Sequence, residues 1–124
     1  ISVEEVIVVD RQARELEVVL SESVLQMTLA PAVYSLIQNY PNPFNPTTTI
    51  RYELPKPGRV TLIVYNSIGQ RVATLVDQAQ PAGRHAVDWN ARNDTGESVA
   101  SGVFVYRISV DGVYSDMRKM VLLK

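Results

Sequence analysis

The chain has no cysteine, a single histidine, one tryptophan and two phenylalanines in 124 residues. Without cysteine there is no disulfide, no thiol nucleophile and no Cys-based zinc site. The lack of thiols also suits a protein that passes through an oxidising compartment. His85 is the lone histidine, and no motif sets a nucleophile or a carboxylate beside it for general-base work. Neither charge dominates: 12 basic residues face 13 acidic ones, for a net charge of −1. That balance gives no drive toward nucleic acid or anionic lipid. No apolar run approaches the roughly 18 residues that a spanning helix needs. The opening Ile1, Ser2, Val3, Glu4 and Glu5 is acidic, so no signal peptide is visible there, and position 1 is not an initiator Met. These features lead us to expect a fragment whose export signal lies upstream. No glycine-rich phosphate loop occurs, because the six glycines fall at strand boundaries. No cofactor or metal is expected.

What is present is a globular composition, 46% hydrophobic and 20% charged. A length of 124 residues suits one domain with a proper core. The dominant period is two. Ile50, Tyr52 and Leu54 alternate with Thr49, Arg51 and Glu53, the pattern of a half-buried strand. Val60, Leu62 and Val64 form the apolar face of the next, after a turn at Pro55, Lys56, Pro57 and Gly58. A turn at 66–69 leads into a strand over 71–76, and Pro81, Ala82 and Gly83 break the chain again. His85, Val87 and Trp89 share one strand face. Asn93, Asp94, Thr95 and Gly96 mark a turn. Phe104, Tyr106, Ile108 and Val110 make the most apolar strand, and Asp111-Gly112 reads as a hairpin turn into a last strand over 114–124.

About six short strands therefore follow residue 47, with turns every 8 to 12 residues, the mark of an antiparallel sandwich. No long helical pattern intervenes, which argues against parallel βαβ units. The expected fold is all-β: an antiparallel Ig-like or fibronectin-III-like β-sandwich. Its inward set is Tyr52, Leu62, Val64, Trp89, Phe104, Tyr106 and Ile108. The first 30 residues also alternate, as in Leu16, Val18 and Leu20, with a helix over 23–38 as the competing reading that Pro31 would interrupt. The expected organisation is a strand-rich segment 1–33 from a preceding domain, a proline-rich entry arm 34–46, and the sandwich 47–124. Three prolines, Pro41, Pro43 and Pro46, keep the arm extended. Tyr40 and Phe44 flank it and are expected to pin it to the sandwich.

From Leu36 to Lys124 the chain resembles the type A C-terminal sorting domain of the type IX secretion system. It also resembles the related Ig-like module of the flagellar hook-capping protein. The marks stand in order: NYPNPFNPTTTIRYELP at 39–55, VTLIVYNSIGQRVATLV at 60–76, AGRHAVDWNARNDTGESVASGVFVYRISV at 82–110 and KMVLLK at 119–124. The resemblance implies a non-catalytic module of a Bacteroidetes-like bacterium. It implies passage of a larger exported protein through periplasm and outer membrane to the surface or medium, with an outer-membrane translocon as partner. It further implies that Lys119, Met120, Val121, Leu122, Leu123 and Lys124 carry the signal, with Pro41, Asn42, Pro43 and Phe44 as the linker arm. An exposed edge strand can recruit a partner by backbone pairing, and the last strand is the candidate. Such edges leave dimerisation open.

Two other readings stand beside this one. The domain could be a structural Ig-like module of a flagellar or adhesion protein. It could also be a carbohydrate-binding accessory module of a secreted hydrolase, with Trp89 stacking on a sugar. Packing of Trp89 between the sheets is the expected outcome. Asn90, Asn93, Asp94 and Glu97 could offer calcium oxygens, but their spacing does not fit an EF-hand loop, and a turn with Gly96 at positive φ is expected.

Overall fold

In a computed structural model the chain is described over residues 30–124. The strands expected before residue 30 lie outside the described residues; of the helix alternative over 23–38, residues 30–38 are described and hold no helix. Seven strands run in order: β1 Ser35–Leu36, β2 Thr48–Leu54, β3 Gly58–Asn66, β4 Arg71–Gln80, β5 Gly83–Trp89, β6 Gly102–Val110 and β7 Tyr114–Leu122. No helix occurs among the described residues. Every strand pairing is antiparallel, in a three-stranded sheet ordered β1-β2-β5 and a four-stranded sheet ordered β4-β3-β6-β7. The expected all-β sandwich is the observed fold.

The alternation carries directly into burial. In β2, Thr48, Ile50, Tyr52 and Leu54 point inward while Arg51 between them is exposed. The seven residues expected inside are all buried, Phe104 being the most exposed of them at 6%. Leu36, Phe44, Val110, Met120 and Leu122 join them in one continuous core. Trp89 sits at its centre. Its ring centroid lies 5.9 Å from Phe44 and 5.4 Å, edge-on, from Phe104. Its Nε1–H donates to the Arg92 carbonyl at 2.9 Å, so the one polar atom of the indole is satisfied.

Turn chemistry follows the residues. Asp111 and Gly112 both have positive φ (50° and 70°), the pattern of the primed hairpin turn that matches strand twist. In the loop after β5, the Asn93 Oδ1 accepts from Thr95 N at 3.1 Å and Glu97 N at 2.9 Å, and Gly96 has φ 88°. The side-chain oxygen considered for a cation is thus used to build the turn. Gly58 belongs to β3 rather than to the turn before it. A Cβ there would meet the Asp111 carboxylate, and would stand 3.0 Å from Val110 Cγ1. That carboxylate accepts the Arg59 N–H at 2.9 Å.

Two expectations are corrected. β4 does not stop at residue 76 but runs to Gln80, opposite Gly58. Its polar end, Asp77 to Gln80, loses the in-out alternation because an edge strand can continue on backbone pairing alone. Tyr40 does not pin the arm, since its side chain is 74% exposed, whereas Phe44 is buried as expected.

Candidate functional site

The two segments singled out in the sequence, the arm at 41–44 and the ending at 119–124, meet in space. Their meeting begins with Asn39. This buried amide donates from Nδ2 to Thr48 Oγ1 at 2.9 Å and to the Pro41 carbonyl at 3.1 Å. Its backbone N–H donates to the Tyr106 hydroxyl at 2.7 Å, and that hydroxyl donates in turn to the Ile37 carbonyl, also at 2.7 Å. The arm's first half is therefore fastened to the centre of β6. Burial pushes the Tyr106 phenol up to about 12, against the smaller lowering effects of the Asn39 N–H and Arg118.

Past Pro41 the arm leaves β2 and crosses to the free side of β7. The Asn42 Oδ1 accepts the Val121 N–H at 2.9 Å. The Phe44 N–H donates to the Val121 carbonyl, and the Phe44 carbonyl accepts from Leu123 N–H, both at 3.0 Å. Phe44 and Leu122 form a parallel bridge. Further up the strand, the Lys119 carbonyl accepts from Gln38 Nε2 at 2.9 Å, and the Met117 N–H donates to the neighbouring Asp116 carboxylate at 2.8 Å. The last strand was expected to offer an open edge for backbone pairing, and at its C-terminal end this is corrected: the outer groups of Val121 and Leu123 are bonded to the arm, and the Lys119 carbonyl and the Met117 N–H are bonded to side chains. Buried backbone groups demand partners, and the arm supplies them.

The ending itself divides by face. Met120 and Leu122 are fully buried, Val121 is half-buried, and Lys119, Leu123 and Lys124 are exposed. Lys124 reaches Ser98 Oγ with its ammonium at 2.6 Å and Ser101 Oγ with its backbone N–H at 2.9 Å. Of the arm residues, Pro41, Asn42 and Pro43 are exposed and Phe44 is buried. Sequence reasoning missed Gln38, Asn39 and the Tyr106 hydroxyl, which join residues 67 to 81 positions apart. It also missed the bond from Arg118 Nε to the Leu36 carbonyl at 2.7 Å, and the stacked pair of Tyr34 and Tyr114, 4.8 Å apart.

His85 lies half-buried in β5, stacked on Tyr52 at 5.3 Å, with Nε2 2.8 Å from the Pro81 carbonyl. Trp89 is covered by aromatic rings and offers no face to a sugar.

The likeness to known proteins is one of fold and family. Part of dimeric latent PorU from Porphyromonas gingivalis superposes with a TM-score of 0.60 at 19% identity, over 73% of this chain and 9% of that one. PorZ, an essential bacterial surface component of the type-IX secretion system of the same organism, gives a TM-score of 0.48 at 21% identity, over 73% of this chain and 11% of that one. The chain thus spans about a tenth of the length of the solved proteins it matches. No curated protein matches it. Residues 44–116, more than half of the sequence, match the FlgD Ig-like domain. The chain is a member of the FlgD Ig-like domain family.

Proposed function

We propose that this domain is a non-catalytic sorting module that directs a larger exported protein through the type IX secretion system to the cell surface or the medium. The partner is the outer-membrane translocon. The observation that carries this reading is the ending KMVLLK at 119–124, which resembles the ending of the sorting family. It combines anchored Met120 and Leu122 with exposed Lys119, Leu123 and Lys124. A signal of that build stays presented only while the sandwich is folded, which suits an address on a folded passenger.

The second reading is a structural Ig-like module of a flagellar or adhesion protein. The family match favours it, because that match ends at residue 116, before the ending begins. A reporter enzyme with a signal peptide, fused ahead of the full chain, separates the two. Expression would be compared in a bacterium with a working type IX system and in a translocon-defective strain. Sorting requires extracellular reporter in the first strain and periplasmic reporter in the second. Equal retention in both strains contradicts sorting and favours the structural module.

A further inference from the structure

An open sheet edge is a template for pairing with another chain, and folds usually cover or blunt it. The edges of this sandwich are treated unequally. The β7 edge is bonded to the arm at Val121 and Leu123. On β4 the Thr74 N–H donates to the Asp94 carboxylate at 2.8 Å, and the Val72 carbonyl accepts from Asp94 N–H at 3.0 Å. β1 is only two residues long. β5 differs from all three. It pairs with β2 along its whole length of seven residues, with no register shift, and no strand among the described residues lies on its other side.

The direction of the β5 backbone groups follows from the arm. Thr49 both donates to and accepts from Tyr40, and the Arg51 carbonyl accepts from Ile37 N–H, so these residues turn away from β5. In an antiparallel pair a residue that turns away stands opposite one that also turns away. Thr49, Arg51 and Glu53 stand opposite Asp88, Ala86 and Arg84. The N–H and C=O groups of Arg84, Ala86 and Asp88 therefore point out from the edge. Those of Ala86 and Asp88 meet no partner among the described residues. The side chains of the same three residues are exposed, and β5 carries no proline, lysine or bulge to blunt the edge.

This edge is complementary to itself. A second copy laid antiparallel, with the two-fold axis at Ala86, sets Arg84 opposite the partner's Asp88 and Asp88 opposite the partner's Arg84. The outward residues then face one another in the geometry that exchanges both backbone bonds. Two alanines meet at the axis and let the strands approach. On the inner face His85 opposes the partner's Val87. Within one copy Arg84 meets Glu53 at 3.4 Å, and Asp88 accepts from Thr49 Oγ1 at 2.7 Å. Glu53, Arg84 and the partner's Asp88 would thus alternate in sign along one row across the junction. Moving the axis to His85 or to Val87 sets a charged residue opposite Ala86 and loses both pairs. Arg51, the exposed cation beside Ala86, would lie three strand spacings from its counterpart, about 14 Å, beyond the screening length of about 10 Å.

We infer that β5 joins two copies of this chain edge to edge into one continuous sheet, with Arg84, Ala86 and Asp88 as the self-complementary contact. The interface is isologous, so each charge pair occurs twice. Seven residues a side make a small contact, and the dimer is accordingly weak and concentration-dependent. β4 lies against β5 and β7 against β1, so the ending at 119–124 stays at the far edge of each copy. The dimer does not depend on the sorting role.

Sedimentation equilibrium of the full chain, up to about 1 mM, should show the dimer. NMR on a mixture of labelled and unlabelled chains should give an intermolecular contact from His85 Hα to the partner's Val87 Hα, the close pair of this register. Contacts from His85 to His85 or from Val87 to Val87 mark a shifted register and overturn the inference. A chain still monomeric at about 1 mM overturns it as well. Arg84→Asp sets carboxylates against each other at both symmetry-related pairs and should weaken the dimer about tenfold or more. Arg84→Asp combined with Asp88→Arg restores both pairs and should recover it. Ala86→Pro removes an N–H that has no partner within the chain, so the variant should fold and stay monomeric. If Ala86→Pro does not fold, the charge exchange decides alone. A dimer indifferent to both charge variants overturns the inference.

Discussion

Phe44 and Leu122 lie side by side in parallel register, with the Phe44 amide and carbonyl bonded to the residues on either side of Leu122. The residue that was expected to belong to a linker therefore completes the edge of the last strand. It also covers one face of Trp89. Arm and ending depend on each other for packing and for backbone satisfaction.

Phe44→Ala removes a fully buried ring and is expected to cost about 3–5 kcal/mol, as large-to-small core changes do. Denaturant unfolding measures it. Amide exchange at Leu123 should also quicken, since the acceptor for that N–H is held in place by the packed ring. A loss below about 1 kcal/mol would mean that the arm is a detachable linker.

Trp89→Ala is expected to cost about 3–5 kcal/mol by the same argument. The indole is 2% exposed and contacts rings from the arm and from β6. Near-wild-type stability in urea would place the ring on the surface and restore the sugar-stacking alternative.

Tyr106→Phe deletes the hydroxyl that joins Ile37 and Asn39, leaving the buried Asn39 N–H and the part-buried Ile37 carbonyl without this partner. About 1–3 kcal/mol is expected. The variant also changes the pH profile. An unfolded phenol ionises near its ordinary value of about 10, while the folded Tyr106 holds its proton up to about 12. Between those values the unfolded state binds fewer protons, so stability falls as pH rises, and below about pH 10 the contribution is complete. Thermal midpoints from pH 8 to 12 should show a shallower alkaline decline in Tyr106→Phe. Some slope remains, because burial also raises Tyr52 and Tyr114. An unchanged slope would contradict the burial of this phenol.

The sandwich was legible wherever one face of a strand meets the core. In β2, β3 and β6 the apolar residues recur at every second position, and that pattern specified every member of the inward set but Trp89 of β5. Asp111-Gly112 and Asn93 to Gly96 carried their turns in their backbone preferences. Of the arm, only the pinning by Phe44 was legible. Its prolines remove backbone donors and any period, so nothing in the sequence pointed to its backbone bonds. The Asn39–Tyr106 and Asn42–Val121 bonds join positions 67 and 79 apart, and no local pattern encodes such pairs. The ending was legible as a strand, with Met120 and Leu122 on one face. That its edge is closed depends on Gln38, Asn42 and Phe44, far away in the chain.

The most direct trial of the sorting reading uses Lys119→Ala and Lys124→Ala together in the full chain. Both side chains are exposed, so stability should change by less than about 0.5 kcal/mol. Thermal midpoint and extracellular reporter would be measured on the same preparation strain, beside a deletion of 119–124. The expected result is a folded double variant whose export is reduced, and a deletion that is not exported at all. Export of the deletion at the wild-type rate would show that this strand is not the signal.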